Sequence, residues 1–210
     1  LEHDAINASG FESETIMETL GFPELHPEGQ FFPDTYRFSR GTTAISILRQ
    51  AHIALTDRLN LAWSNYPSGN ILETPYEALI LASIIEKETR VPEERSRISG
   101  VFHRRLELDM RLQTDPTVIY GLGENYDGTL DREDLVQDTP YNTYRRNGLP
   151  PSPIALVGQA SLSAAVNPDT GSEIYFVATG RDDGSHYFST TLQEHNSAVA
   201  RYLIELESTN

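Results

Sequence analysis

A mainly helical α+β domain is what this sequence predicts, on three observations. Thr74–Asp115 reads as two successive helices with strong boundary signals, and apolar positions spaced by three and four recur over residues 43–63 and 159–166. Strand-like patterning is confined to two small places, residues 29–38 and 174–189, each next to turn residues. The chain divides into a lead-in of residues 1–27 and a domain of residues 28–210.

The lead-in carries one short amphipathic helix, with Phe11, Ile16, Met17 and Leu20 as its apolar positions and Gly21 as its stop. Residues 28–38 are aromatic-rich and alternate at Tyr36 and Phe38, so a strand is expected after a turn at Pro33-Asp34. Gln30, Asp34 and Arg37 among these rings would suit the floor of a sugar groove, although aromatic core packing explains the same pattern and is commoner. From Thr42 or Thr43 a long helix runs to Trp63 and buries Ile45, Leu48, Leu55 and Leu59. His52 beside that stripe has no second ligand at helical spacing, so it is expected to be structural or exposed.

The next helix opens with Thr74 as N-cap, Pro75 at its first position and Glu77 to close a capping box. Ala78, Leu81, Ala82 and Ile85 form its apolar stripe, and three residues further the stripe lands on Glu88. Glu86, turned about 100° per residue away, shares a face with Leu79 and Ser83 instead. A carboxyl at an apolar position would have a raised pKa and could serve as a general acid. The commoner reading is that the stripe ends and Glu88 reaches water or Arg95, because Pro92 disfavours helix at Val91.

A second helix follows Pro92, with Glu93 and Glu94 in its first turn and Ile98, Val101, Phe102 and Leu106 buried. Arg104, Arg105 and Arg111 concentrate positive charge at its end. Pro116 makes Asp115 the expected N-cap of a short helix through Tyr120, which leaves Gln113 and Thr114 as polar residues with no structural explanation. Residues 121–157 are loop-dominated, with a short helix at Asp131–Leu135 and two tyrosines and an amide near Thr139–Pro153 that suit a glycan grip over Glu88. Alanine at Tyr141 or Asn142 is thus expected to slow turnover without unfolding the protein. A helix over Gln159–Val166, a hairpin around Gly180–Gly184 and a closing helix capped by Thr191 complete the chain.

Composition narrows the chemistry. The net charge of −15 repels polyphosphates, so nucleic acid is not an expected partner. No cysteine exists for a disulfide, a thiolate metal site or a cysteine nucleophile, and no HExxH, GxSxG or glycine-rich phosphate loop is present. No metal or cofactor is expected. The first residue is Leu, which suggests an excised or processed piece. Carboxylate chemistry among aromatic and amide side chains remains, the inventory of an enzyme acting on glycosidic bonds.

LASIIEKETRVPEERSRISGVFHRRLELDMRLQTDPTVIYGLG, TPYNTYRRNGLPPSPI and HYFSTTLQEHN, with EGQFFPDTYRF before them, resemble the YceG-like endolytic murein transglycosylase family over residues 28–202. The resemblance implies cleavage inside peptidoglycan strands between N-acetylmuramic acid and N-acetylglucosamine, with Glu88 at the position of the catalytic glutamate. Gln113, Thr114, Asp115, Tyr141, Asn142, Tyr144 and His186 stand at family-motif positions and are expected to bind substrate. It further implies an N-terminal membrane anchor and a LysM-like portion that this chain lacks, and a place on the periplasmic face of a bacterial inner membrane. Peptidoglycan strands are the expected partner, with the cell-wall synthesis machinery as a further candidate. The expected cycle uses one carboxyl and yields 1,6-anhydro ends. A hydrolase using Glu88 and Asp115, or a non-catalytic glycan-binding module, are the alternatives.

Overall fold

The computed structural model describes residues 15–209. In chain order it contains α1 (Ile16–Leu20), α2 (Ala44–Trp63), α3 (Pro75–Glu88), α4 (Arg95–Glu107), α5 (Asp115–Leu122), α6 (Arg132–Val136), α7 (Gln159–Val166), β1 (Tyr175–Ala178), β2 (His186–Ser189) and α8 (Leu192–Thr209). The fold is α+β and mainly helical. Phe11 of the lead-in lies outside the described residues, while Met17 and Leu20 of α1 are buried and Gly21 ends that helix in the left-handed conformation.

α3 begins where its capping box predicts: Thr74 Oγ1 accepts the Glu77 N–H at 3.2 Å, and the Glu77 carboxylate accepts the Thr74 N–H at 3.2 Å. Every residue from Ala78 to Ile85 is buried, a wider apolar surface than one stripe. The reason is that α2, α4 and α7 all pack on α3, so it has neighbours around most of its circumference. Ser161, Ala164 and Ala165 are small, which lets the backbone of α7 come close.

Polar atoms on α3 fix what lies over it. The Ser83 hydroxyl donates to the Ile80 carbonyl at 2.7 Å and accepts the Ile154 N–H at 3.0 Å, pinning the segment before α7. Glu86 Oε2 accepts the N–H of Gly158, the N-cap of α7, at 3.2 Å, placing negative charge at that helix's positive end. Glu86 is therefore a structural carboxylate.

Two expectations are corrected. Residues 29–38 form no strand; among the described residues the sheet is β1 paired antiparallel with β2. The segment lies on α2 instead, with the Phe32 N–H donating to the Ala51 carbonyl at 3.1 Å and the Phe32 ring 4.0 Å from the Arg58 guanidinium carbon. His52 belongs to the same seam, buried with its Nδ1 2.9 Å from the Gln30 carbonyl. The second correction concerns Asp115, which is the first residue of α5 and not its cap, because Thr114 takes the N-cap position.

α4 carries Ile98, Val101 and Phe102 into the core, and Phe102 meets Phe176 of β1 edge-on at 5.7 Å. Arg104 Nε donates to the Glu173 carbonyl at 2.7 Å, and Arg105 Nε to the Ile174 carbonyl at 2.7 Å. Adjacent arginines thus moor the segment that leads into β1 to α4. Among the described residues no helix is long and apolar enough to cross a membrane.

Gly100 tests this close packing. A Cβ built there would lie 2.6 Å from the Asp169 carbonyl oxygen and 2.9 Å from the Arg104 guanidinium. Helix propensity alone favours Gly100→Ala by about 1 kcal/mol, whereas forcing the contact apart costs about 1–3 kcal/mol. The variant is expected to unfold at lower urea concentration than the native chain; an unchanged or higher midpoint would contradict the packing described.

Candidate active site

The last turn of α3 opens into a cleft of about 600 Å³ whose other walls come from α5, the hairpin and α8. Glu88 is the final residue of α3, and the chain leaves the helix at once as Thr89 turns extended. Its side chain keeps part of its surface toward the cleft while the helix body behind it is closed off.

Thr114 meets it from below. Thr114 Oγ1 donates to Glu88 Oε1, and Thr114 itself is buried. Two further threonines hold the Thr114 backbone in place: the Thr114 N–H donates to Thr143 Oγ1 at 3.1 Å, Thr143 Oγ1 bonds Thr117 Oγ1 at 2.8 Å, and Thr117 Oγ1 donates to the Thr114 carbonyl at 2.7 Å. Just upstream, Gln113 has φ of +50°, unusual for a residue with a side chain. Its N–H donates to the Thr143 carbonyl at 3.2 Å, so the same loop that orients Thr114 stabilises this turn and directs Gln113 to the cleft.

Asp115 and Tyr144 face each other across the floor, with the Tyr144 hydroxyl donating to Asp115 Oδ1 at 2.6 Å. Arg105 reaches the cleft from α4, but its Nη1 donates to the Leu112 carbonyl at 2.6 Å and its Nε is occupied at Ile174. The guanidinium is thus anchored to backbone before it meets a carboxylate.

Burial raises the Glu88 pKa from 4.5 to about 7. The Thr114 hydrogen bond opposes that shift, Asp115 adds to it by like charge, and Arg105 opposes it as the smallest cause. Glu88 therefore keeps its proton to a much higher pH than an ordinary carboxyl does, at a position that opens on the cleft. Tyr144 is also pushed upward, by burial first and then by its bond to Asp115, so it remains a donor.

Of the residues singled out in the sequence, Glu88, Gln113, Asp115, Tyr144 and His186 line the cleft and Thr114 lies directly beneath. Tyr141 and Asn142 do not line it. The Tyr141 hydroxyl bonds Ser152 Oγ at 2.7 Å, and its ring packs on Tyr120. Asn142 is buried, its Nδ2 donating to the carbonyls of Gln137 at 2.7 Å and Leu135 at 3.2 Å, and its Oδ1 accepting the Tyr144 N–H at 2.9 Å. Asn142 holds the loop that carries Thr143 and Tyr144; it has no amide left over for a sugar. Arg105, Tyr175, His195 and Asn196 are cleft residues that the sequence did not single out as such. Arg105 had a readable signal, because it continues the Ile98–Val101–Phe102 stripe at i+7.

The YceG-like family pattern matches residues 3–201 of the chain. The chain belongs to the YceG-like family. An endolytic murein transglycosylase of Bacillus subtilis is 39% identical over 179 residues, 85% of this chain and 49% of the relative. One of Streptococcus pneumoniae is 33% identical over 197 residues, 90% of this chain and 35% of the relative. The chain therefore spans half or less of these curated relatives. A crystal structure of a yceG-like protein of Listeria monocytogenes superposes with a TM-score of 0.70 at 36% identity, covering 87% of this chain and 62% of that one.

Two measurements follow from the site. Asn142→Ala removes at least three well-formed bonds, at about 0.5–1.5 kcal/mol each, and is expected to lower stability by ~2 kcal/mol in urea melts, not merely to slow turnover. Glu88 gives a pH signature of opposite kind. Its folded pKa lies above its unfolded value of 4.5, so ionisation penalises the fold increasingly from pH 4.5 to about 7 and by a constant amount above, on the order of 3 kcal/mol. Glu88→Gln cannot ionise, so its stability relative to the native chain is expected to rise between pH 5 and pH 8. A pH-independent difference would show that the carboxyl is not desolvated.

Proposed function

We propose that the chain is the catalytic portion of an endolytic lytic transglycosylase that cuts peptidoglycan strands between N-acetylmuramic acid and N-acetylglucosamine, on the extracytoplasmic side of the cell. The observation that carries this reading is Glu88, an acid with a pKa of about 7 at the floor of an open cleft. Family membership and the names of the B. subtilis and S. pneumoniae relatives support it.

In this reading the protonated Glu88 carboxyl gives its proton to the glycosidic oxygen as the C1–O bond breaks. The muramic acid ring becomes oxocarbenium-like, and the resulting carboxylate takes the proton of that sugar's 6-hydroxyl while O6 bonds C1. Glu88 returns to its acid form, and no water is consumed. Thr114 aims the carboxyl, while Gln113 and Tyr144 are placed to hold the ring.

Asp115 supports the runner-up, a hydrolase in which a second carboxylate activates water, because it too lines the cleft. Its Oδ1 is already occupied by the Tyr144 hydroxyl, which favours a structural and electrostatic part for it.

Digesting purified peptidoglycan separates the readings. Products lighter by one water and inert to borohydride are expected, as 1,6-anhydro ends require. Reducing muramic acid ends would replace the transglycosylase reading with the hydrolase. Glu88→Gln is expected to lose at least ~10²-fold in rate, and Glu86→Gln far less. Because the acid form of Glu88 is needed, kcat/KM is expected to fall as pH rises through about 7.

A further inference from the structure

His186 enters the cleft at the first position of β2, and its partner comes from a distant part of the chain. That partner is Glu94, the last residue of the 3-10 turn Pro92–Glu94 before α4. Glu94 gives both carboxylate oxygens to this one residue. Oε1 accepts the His186 backbone N–H at 2.9 Å, and Oε2 lies 2.7 Å from ring Nδ1. The two side chains are enclosed, 11% and 14% exposed. Edge-on contacts with Phe176 at 5.5 Å and Phe188 at 6.4 Å restrain the ring from turning.

A carboxylate is an acceptor only, so the nitrogen facing it, Nδ1, carries the proton. A neutral imidazole then keeps its lone pair on Nε2. That atom has no hydrogen-bond partner among the described residues, and the ring lines the cleft. The arrangement resembles the way a carboxylate selects the tautomer of a histidine whose other nitrogen is meant for a ligand.

We infer that Glu94 is a positioning residue that acts through His186, holding the ring in the Nδ1–H form so that Nε2 accepts a hydrogen bond from a hydroxyl or acetamido N–H of the glycan in the cleft. The inference rests on the glycan-cleaving reading above. The competing role for Glu94 is structural, since its bond to the His186 backbone also ties β2 to the start of α4. Glu94→Gln separates the two roles. Its amide oxygen still accepts the backbone N–H, but its amide nitrogen donates toward Nδ1, which selects the opposite tautomer and turns Nε2 into a donor.

The test combines ¹⁵N spectra of the histidine ring, taken at a pH where it is neutral, with kinetics on purified glycan strands. The native chain is expected to show a pyrrole-type Nδ1 and a pyridine-type Nε2 at His186, and Glu94→Gln the reverse. Loss of one net hydrogen bond predicts a rise in KM of up to ~10-fold for Glu94→Gln and for His186→Ala, with kcat changed far less. The double variant is expected to be no worse than His186→Ala alone, because Glu94 has no ring left to position. A protonated Nε2 in the native chain, or losses that add in the double variant, would overturn the inference. Binding of uncleaved glycan fragments to Glu88→Gln distinguishes the failures. No binding at all would sink the glycan reading and this inference with it, while binding indifferent to Glu94→Gln and His186→Ala would sink the inference alone.

Discussion

One desolvated carboxyl at the end of a buried helix sets the terms for everything around it. α3 is surrounded by α2, α4 and α7, so Glu88 emerges into the cleft from a helix whose apolar residues through Ile85 are sealed. Taking an ionised carboxylate out of water is the larger effect, and the hydrogen bond from Thr114 offsets only part of it. Had the bond won, Glu88 would be a permanent anion and useless as an acid. The balance moves its titration toward neutrality, the range in which one group can both give a proton and take one back.

Holding that balance requires the cleft walls to stay where they are, and the means are backbone carbonyls gripped by side chains. Arg104 and Arg105 bind the carbonyls ahead of β1, Asn142 binds those of residues 135 and 137, and the threonine cluster ties the turn at Gln113 to the loop at Thr143. None of these groups belongs to a regular ladder. They substitute for one, because loops without secondary structure leave buried carbonyls that something must satisfy.

Helix starts were legible because capping is local: Thr74, Pro75 and Glu77 identify the start of α3 within four residues. Glu88 stood out as a polar residue at an apolar position of a period, yet the period alone favoured a stripe that simply ends, and it was the family resemblance that pointed to this carboxyl. The same anomaly recurs at Arg105, which is buried one stripe later on α4, where the sequence shows only a concentration of positive charge. The strand at residues 29–38 failed for the opposite reason, since alternation does not say whether a partner strand exists, and α2 supplied the hydrogen bonds. Asn142 and Glu94 were illegible as to role. What each does depends on atoms 92 residues away for Glu94, and on three separate carbonyls for Asn142, and no spacing rule reports either.

The second carboxylate of the cleft acts on Glu88 through its charge. Asp115 is displaced by one residue from the capping role its sequence suggests, because Thr114 takes the N-cap position, and its side chain is left to the cleft. There the Tyr144 hydroxyl binds it at 2.6 Å, and burial together with Asp115 raises the Tyr144 pKa, so the hydroxyl stays a donor across the working range. A charge held in that way repels the ionised form of Glu88 and raises its pKa further. Arg105 is the natural counterweight, yet its guanidinium is engaged by the Ile174 and Leu112 carbonyls, and its effect on Glu88 is the smallest of the four. The arginine's commitment to backbone and the aspartate's displacement from the cap thus act in the same direction, keeping Glu88 an acid.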